Sequence, residues 1–232
     1  MRVLVIENYR STPLGLVGRA LEDAGADLAI VRAFEGEPVP STEEGHDALV
    51  VLGGDQTALD DQDYPYLPAL AALSRRFGEA GKAVLGICLG AQIVARGYGA
   101  ENILGRPIEF GWYPISPTEA GRDDPLIGGL DAPTPTFHWH TDTFSLPPGG
   151  VHLASSDRTP IQAFRIGRAA YGIQFHFEAD RTVVSHWNDT FEAEIAGHTP
   201  DWAERYPAEA ERHGPQADAL GIALARRWVD LI

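Results

Sequence analysis

The chain of 232 residues has little cysteine and few basic side chains. Cys88 is its single cysteine, so no intramolecular disulfide can form, as is typical of proteins from reducing compartments. Lys and Arg number 18 against 33 Asp and Glu, which gives a net charge of −15. Nucleic acids and anionic membranes are bound by clustered cationic side chains. This charge balance therefore argues against both as partners.

Long apolar runs and leader-like segments are also lacking. No apolar run reaches the ~20 residues that a transmembrane helix needs. Met1–Ile6 leads directly into an apolar stretch, which leaves no room for a signal peptide before the first predicted strand. The phosphate-cradling pattern G-x-x-x-x-G-K-[ST] is absent as well. The sequence therefore predicts a cytoplasmic protein that makes no membrane contact and carries no ATP-handling domain.

Strand-like and helix-like segments alternate through the first hundred residues. Strands are predicted from short apolar runs at Val3–Ile6, Leu28–Val31, Ala48–Leu52 and Lys82–Ile87. Helices are predicted from 3.6-residue periodicity at Leu14–Ala24, Tyr66–Ala80 and Gly90–Tyr98. This alternation predicts an α/β fold with a parallel sheet covered by helices on both faces. Functional groups collect at the carboxyl ends of such strands, where Gly53-Gly54 and Cys88 fall.

The second half of the chain has a different character. From Ile103 to His176, short β runs are punctuated by Pro and Gly, which predicts an antiparallel extension of the sheet. These runs are Ile108–Phe110, Tyr113–Ser116, Val151–Ala154, Ile161–Phe164 and Ala170–Phe175. Helical spacing then returns in Trp187, Phe191 and Ile195 and in a final amphipathic stretch, Leu220–Trp228. We predict one domain over 1–232, in which 181–232 forms a helical C-terminal extension.

Cys88 lies in the pattern Gly86-Ile87-Cys88-Leu89-Gly90, between a predicted strand and a predicted helix. This is the cysteine counterpart of the G-x-S-x-G nucleophile elbow, in which a tight turn exposes the nucleophile above the sheet. The glycines remove side chains that would collide there, and the positive end of the helix favours a thiolate. The alternative is an inert, buried cysteine. Glycines on both sides favour the nucleophile.

A cysteine nucleophile needs a general acid for the departing amine, and a carboxylate to orient that acid. His176 and Glu178 are two residues apart, so on an extended strand they point to the same face. Taken alone, H-x-E could equally be a surface pair. His138 and His140 are rival candidates for the base. These two also alternate on one strand, but two ligands without a third predict no metal site.

The two motifs together resemble the class I, triad-type glutamine amidotransferases, and most closely the glutaminase domain of GMP synthetases. The resemblance rests on Gly86–Gln92 followed by Gln174–Glu178, and it extends to four other segments of the chain. These are Gly53-Gly54, Tyr64–Leu67, Gly111-Trp112 and His140–Phe144. It implies a flavodoxin-like, doubly wound, mostly parallel sheet. Departures such as Asp55-Gln56 after the glycines, Ala91, and Thr141 in place of a glycine leave GMP synthesis itself open.

The resemblance also implies a role for each matching residue. Cys88 would attack the γ-carboxamide of glutamine, His176 would protonate the leaving ammonia, and Glu178 would orient His176. The backbone N–H groups of Gly54 and Leu89 would form the oxyanion hole. Substrate contacts would come from Gly53, Gln92 and His140, and no cofactor is expected.

Three functional interpretations stay open at this point. The chain could be the glutaminase subunit of a two-chain amidotransferase, with a synthetase as its partner chain. Alternatively, it could be a stand-alone hydrolase of γ-glutamyl amides or peptides. In both cases the substrate is a small molecule, glutamine or a γ-glutamyl compound. A non-catalytic binding protein of the same fold is a further alternative. A cysteine hydrolase of the DJ-1-like type also has an elbow, but the downstream H-x-E and Gln92 disfavour it.

Overall fold

The computed structural model of the chain describes residues 1–130 and 133–232. The strands are β1 (Arg2–Glu7), β2 (Asp27–Arg32), β3 (Ala48–Val51), β4 (Ala83–Ile87), β5 (Asn102–Ile103), β6 (Glu109–Pro117), β7 (Thr134–His140), β8 (Thr143–Phe144), β9 (Val151–Ser155), β10 (Ala163–Ile166) and β11 (Ala170–Ile173). The helices are α1 (Gly15–Asp23), α2 (Leu67–Glu79), α3 (Leu89–Gly97), α4 (Glu119–Arg122), α5 (Arg181–Thr190), α6 (Glu192–His198) and α7 (Trp202–Val229).

Within the described ranges, nine strands form one sheet in the order β2-β1-β3-β4-β11-β10-β9-β6-β7. The neighbours from β2 to β11 run parallel, and those from β11 to β7 run antiparallel. The short strands β5 and β8 pair separately. The predicted α/β class, with a mostly parallel sheet and an antiparallel extension, is confirmed.

Helices cover the sheet on both faces, and the central strands β3, β4 and β11 are buried at every position. In β1, Val3 and Val5 face one side and pack with Val17 of α1 and Trp228 of α7. Leu4 and Ile6 point to the opposite side, where α2 and α3 supply Leu70, Phe77 and Ile93. This alternation follows from the two-residue period of a strand.

A third apolar cluster holds the C-terminal helices against β6 and β7. It is mainly aromatic and contains Phe110, Trp112, Phe137, Trp187, Ile195 and Trp202. The Trp202 indole packs edge-on against Phe110, with 4.8 Å between ring centroids, and stacks on Trp112 at 5.8 Å. These contacts attach the C-terminal helices to the sheet edge formed by β6 and β7.

The structure changes several predicted boundaries. Residues 109–117 form one strand, β6, rather than two short ones, because the Gly111 backbone with φ of 112° continues the pairing with β7. The strand predicted at Ala170–Phe175 ends at Ile173. The final helix begins at Trp202 rather than near Leu220 and runs through two prolines, Pro207 and Pro215. Although α7 has 28 residues, no helix in the described ranges is both long and apolar enough to span a bilayer.

Candidate active site

Cys88 occupies a strained turn between β4 and α3. Its φ of 52° and ψ of −112° make it the one non-glycine residue with positive φ in the described part of the chain. Such a conformation costs a residue with a Cβ roughly 1–3 kcal/mol. A Cβ on Gly86 would collide with the Gly90 carbonyl, and one on Gly90 with the Val51 carbonyl. Both glycines of the motif are therefore required by close backbone approach.

The Cys88 thiol lies at the floor of a cavity, with 7% of the residue exposed. The thiol donates to the Trp139 carbonyl oxygen, which lies 3.6 Å from Sγ, and it is close enough to His176 to raise the pKa of that imidazole. Gly53 lies beside the pair, since a Cβ there would be 3.7 Å from Cys88 Cβ and 3.6 Å from His176 Cε1. The structure thus brings together the predicted nucleophile and the predicted base.

The carboxylate of Glu178 contacts the imidazole of His176 at Nδ1. Its Oε1 lies 2.6 Å from His176 Nδ1, and both residues are buried. The two residues follow β11 rather than continuing it, and the His176 backbone is instead bridged to Phe137 of β7. The predicted same-face pairing is therefore present, although the strand that was expected to produce it has already ended.

The electrostatic surroundings of His176 favour its imidazolium form. Burial lowers its pKa, but the charge of Glu178, the charge of Cys88 and the hydrogen bonds to both outweigh that effect. The net result is a pKa well above the usual value for histidine. The site therefore favours an imidazolium beside the Cys88 side chain, and such a group can donate a proton to a departing amine.

The glycine pair after β3 is held by a small polar network. Asn8 Nδ2 donates to the Leu52 carbonyl at 2.7 Å, and Gln56 Nε2 donates to the Asn8 carbonyl at 3.2 Å. A Cβ on Gly54 would collide with Gln56 Oε1 and would lie 2.8 Å from Leu89 Cδ2. Gly54 and Leu89, the two predicted oxyanion residues, are therefore neighbours. Leu89 is the first residue of α3, where backbone N–H groups have no intrahelical partner.

Gln92 lies one turn into α3 and lines the cavity. Its Nε2 donates to the Asp142 carbonyl at 3.1 Å and to Gln174 Oε1 at 3.4 Å. These contacts connect the helix after Cys88 to the loop between β7 and β8. Gln92 is 3% exposed, so its amide shapes the polar end of the cavity and is not a free surface group.

His140 borders the same cavity and contacts the buried carboxylate of Glu109. Its Nε2 lies 3.1 Å from Glu109 Oε2, and its Nδ1 lies 3.1 Å from the Asp142 carbonyl oxygen. Glu109 also accepts from Ser156 at 2.7 Å, from Thr159 at 2.9 Å and from Gln162 at 2.9 Å. Burial raises the pKa of Glu109, but these hydrogen bonds and the two nearby histidines outweigh that effect and lower it to about 2.

Glu109, His138 and His140 could together hold a metal ion, because their ligand atoms all lie within 4.8 Å of one another. His138 Nδ1 lies 3.8 Å from Glu109 Oε1, and burial lowers the pKa of this histidine to about 3. Hydrogen bonds from neutral side chains already occupy both oxygens of Glu109. The trio is therefore explained as a polar network behind the cavity wall.

The cavity over Cys88 has a volume of about 300 Å³. Its polar lining residues are Ser11, Thr12, Gly54, Asp55, Gln56, Gln92, His140, Thr141 and Asp142. Its apolar and aromatic lining residues include Tyr9, Leu89, Ile108, Trp139, Trp187 and Phe191, and Glu194 and His198 also border it. A pocket of this size is at the lower end of those that bind small organic ligands.

The sequence did not identify several residues that build this site. Trp187 lies edge-on to His176, with 5.1 Å between ring centroids, and its Nε1 donates to the Ser11 carbonyl at 2.7 Å. Glu109 is an acidic residue between two apolar ones, Ile108 and Phe110, at the start of a predicted strand. That position was the one signal in the sequence that pointed to a buried carboxylate. Trp139 gave no signal in the sequence, because the group that contacts Cys88 is its backbone carbonyl, which every residue has.

Known proteins resemble this chain in both sequence and fold. The family model "Glutamine amidotransferase class-I" matches residues 4–187. The chain belongs to the class-I glutamine amidotransferase family. The matched segment contains Cys88, His176 and Glu178, whereas α6 and α7 lie beyond it. The C-terminal part of the site wall is therefore built from residues outside the matched segment.

Individual amidotransferase relatives support the same assignment. The chain is 34% identical to the glutamine amidotransferase-like protein YfeJ of Salmonella typhimurium, over 77% of this chain and 76% of the relative. It is 29% identical to a glutamine-hydrolyzing GMP synthase subunit of Methanosarcina mazei, over 78% of this chain and 89% of the relative. Among solved structures, a glutamine amidotransferase from Methylobacillus flagellatus superposes with a TM-score of 0.85 at 26% identity, covering 100% of this chain and 95% of the other.

Proposed function

We propose that the protein is a cysteine-dependent hydrolase of glutamine or of a related γ-glutamyl amide. The observation that carries this proposal is the continuous contact from Cys88 through His176 to Glu178, on a strained elbow at the floor of a cavity. A buried cysteine with a purely structural role would need neither an imidazolium partner nor a strained backbone.

The reaction would proceed in two steps. The Cys88 thiolate attacks the γ-carbonyl carbon, the C–N bond breaks, and His176 gives its Nε2 proton to the departing amine. Water then attacks the γ-glutamyl thioester while His176 accepts a proton from it, and the C–S bond breaks to release glutamate. Glu178 stabilises the imidazolium form of His176 in each step, and no cofactor is needed.

In this mechanism, negative charge develops on the γ-carbonyl oxygen. We assign the backbone N–H groups of Gly54 and Leu89 to stabilise it, because the two residues adjoin and Leu89 opens α3. One such donor accounts for about 10²–10³ in rate in other hydrolases. Gly53 would leave the approach to the thiol open, since a Cβ there would face Cys88, His176 and Thr12.

The α-amino and α-carboxylate groups of the substrate need polar partners at the other end of the cavity. We assign Gln92 and His140 to this end, together with the backbone of Asp142, which both side chains contact. The buried Glu109 fixes the ring of His140 and so acts as a positioning residue. These assignments make the polar lining the γ-glutamyl subsite.

This chemistry fits two settings. Relatives named as subunits of glutamine-hydrolyzing GMP synthase support a glutaminase that passes ammonia to a synthetase partner chain. A stand-alone γ-glutamyl hydrolase is favoured by a different observation, namely that Trp187, Phe191, Glu194 and His198 of this chain already wall the cavity. A non-catalytic binding role is the third alternative.

Reaction with a glutamine-like diazoketone tests the mechanism without requiring turnover. Intact mass after incubation should show one adduct in the wild-type protein and none in Cys88→Ala, and free glutamate should appear when γ-glutamyl amides are added. A protein that forms no adduct and hydrolyses no γ-glutamyl amide would contradict the proposed function. Equal hydrolysis by Cys88→Ala would contradict the assignment of the nucleophile.

A further inference from the structure

The lining of the cavity over Cys88 has chemically different parts. Polar groups of Gln56, Gln92 and Asp142 lie at the end near α3. Another part of the lining is an aromatic wall, which we define as Trp139, Trp187 and Phe191. These rings contact one another edge-on, with centroid separations of 5.7 Å for Trp139–Trp187 and 5.3 Å for Trp139–Phe191.

The aromatic wall lies beside the group that must protonate the leaving amine. The ring centroid of Trp187 is 5.1 Å from that of His176. Since a proton donor has to lie within hydrogen-bond reach of the departing nitrogen, that nitrogen is next to His176 when the C–N bond breaks. The substituent on the nitrogen therefore extends toward the aromatic wall, while the γ-glutamyl part occupies the polar end.

If the leaving group is ammonia, no part of the substrate contacts the aromatic wall. Ile108 and Tyr9 continue the apolar lining, and the centroid of the Tyr9 ring is 6.1 Å from that of Phe191. Apolar surface that a ligand covers contributes affinity, whereas a small polar product gains nothing from it. Phe191 also lies beyond the residues that match the family model, which end at 187.

Charge around the cavity restricts the substituent further. Among the residues that the structure describes, no Lys or Arg lines the cavity, and the exposed side chains of Glu194 and His198 border it. A leaving amine that carried its own carboxylate, as in a γ-glutamyl peptide, would meet the Glu194 carboxylate and find no permanently charged cationic partner there. A neutral substituent meets no such penalty.

We propose that the physiological leaving group is a primary amine with an aromatic substituent and no carboxylate, so that the substrate is a γ-glutamyl arylalkylamide. The proposal rests on the proposed function, because it uses the same thiol and acid. Cys88 bonds to the γ-carbon, the C–N bond breaks, and the arylalkylamine leaves with the proton from His176. Water then releases glutamate and restores the thiol and imidazole pair.

The test compares kcat/KM of the purified full-length chain for glutamine, γ-glutamyl-methylamide, γ-glutamyl-benzylamide and γ-glutamyl-phenylalanine. Benzylamide should exceed glutamine and methylamide by about 10-fold or more, the factor expected for burying a phenyl ring. The phenylalanine peptide should fall well below the benzylamide because of its carboxylate. Glutamine hydrolysed as fast as the benzylamide, or faster, would overturn the proposal.

A substitution in the aromatic wall provides the matched variant. Phe191→Leu should lower the ratio of kcat/KM for benzylamide over glutamine by about 5-fold or more, because one face of the subsite is lost. Phe34→Leu is the control, since Phe34 is likewise half-buried but does not line the cavity, and it should leave the ratio unchanged. An unchanged ratio in Phe191→Leu would contradict the placement of the leaving group.

The outcome separates this inference from the proposed function. A diazoketone adduct on Cys88 combined with a preference for glutamine would leave the mechanism in place and reject the arylalkylamine. Absence of both the adduct and hydrolysis of every amide would reject the mechanism and, with it, the inference. A preference for the peptide would reject the charge argument and identify a γ-glutamyl peptidase.

Discussion

The backbone carbonyl of Glu178 accepts a 2.8 Å hydrogen bond from the N–H of Leu16, in the first turn of α1. The approach is so close that a Cβ on Gly15, whose φ is 51°, would collide with that carbonyl oxygen. The backbone of Glu178, whose carboxylate contacts His176, is therefore held by a helix from the opposite end of the sequence.

We predict from this contact that Gly15→Ala impairs the site as well as the fold. Collision and the positive φ together should lower the free energy of unfolding by about 2–4 kcal/mol. Displacement of Glu178 should slow diazoketone labelling of Cys88 by about 10-fold or more.

Gly167→Ala is the matched control, because Gly167 has a φ of 58° and no atom within 4 Å of the added Cβ. Because of its positive φ, this variant should have a lower free energy of unfolding in urea denaturation. Its rate of diazoketone labelling at Cys88 should equal that of the wild type. Equal labelling rates in the two variants would contradict a role for the Gly15 contact in orienting Glu178.

The pKa of His176 predicts how Glu178→Gln changes the pH profile. In the proposed mechanism His176 acts as a proton donor, and its raised pKa keeps it protonated as the pH rises, so activity should be lost only above that pKa. Removing the Glu178 charge lowers the pKa, so the alkaline limb of kcat/KM should move to lower pH. A residual rate should persist, because the orienting carboxylate contributes less than the nucleophile. An alkaline limb that stays in place would contradict the electrostatic role.

Strain at Cys88 predicts a stability difference between two inactive variants. Cys88→Ala keeps a Cβ in the positive-φ conformation, whereas Cys88→Gly removes it. The glycine variant should therefore be more stable than the alanine variant by roughly 1 kcal/mol, once the greater flexibility of its unfolded chain is counted. Urea denaturation of both proteins checks this, and an alanine variant that is more stable would indicate a relaxed turn.

The network behind the cavity predicts acid destabilisation in two overlapping pH ranges, of which only the upper part of the first, above pH 4.5, belongs to His138 alone. His138 has a pKa of about 3, below the usual 6.5, so the unfolded chain binds this proton first and stability falls as the pH drops from about 6.5 toward 3. Glu109 has a pKa of about 2, below the usual 4.5, so its contribution is present above 4.5 and is lost as the pH falls toward 2.

His138→Gln should reduce the slope of unfolding free energy against pH in the first range, by up to about 1.4 kcal/mol per pH unit. Glu109→Gln should reduce the slope in the second range. Urea denaturation at a series of pH values distinguishes them, with the neighbouring His140 left intact in both. Exposed His186→Gln controls for the loss of a histidine. A slope in His138→Gln that matches the wild type from pH 6.5 to 3 would contradict the first assignment.

Much of the parallel half of the fold could be predicted from sequence, because its signals are local. Val3–Ile6 and Lys82–Ile87 are short, mostly apolar runs, and they form β1 and β4 within one residue. Apolar spacing predicted the final helix only over Leu220–Trp228, whereas α7 begins at Trp202 and contains Pro207 and Pro215. Each internal proline costs about 3 kcal/mol. The helix persists because its faces are packed, with Trp202 and Trp228 buried near its two ends.

Site residues were predictable where the motif itself carries the geometry. Gly86 and Gly90 permit the close backbone approach that the elbow around Cys88 requires, and the two-residue spacing of His176 and Glu178 permits their contact. Glu109 and Trp187 could not be placed, because their roles depend on a cross-strand register and on a C-terminal helix folding back over His176. Tertiary contacts of this kind leave no periodic pattern in the sequence.

The solitary thiol at the elbow has a consequence for oxidative damage. An oxidant that reaches Cys88 would form a sulfenic acid, and the chain has no second cysteine that could trap it as an internal disulfide. Repair would therefore depend on a small thiol that can enter the cavity, and further oxidation to the sulfinic acid would be permanent. Whether a thiol such as glutathione fits into this cavity would then determine how long the Cys88 thiol persists in the presence of peroxide.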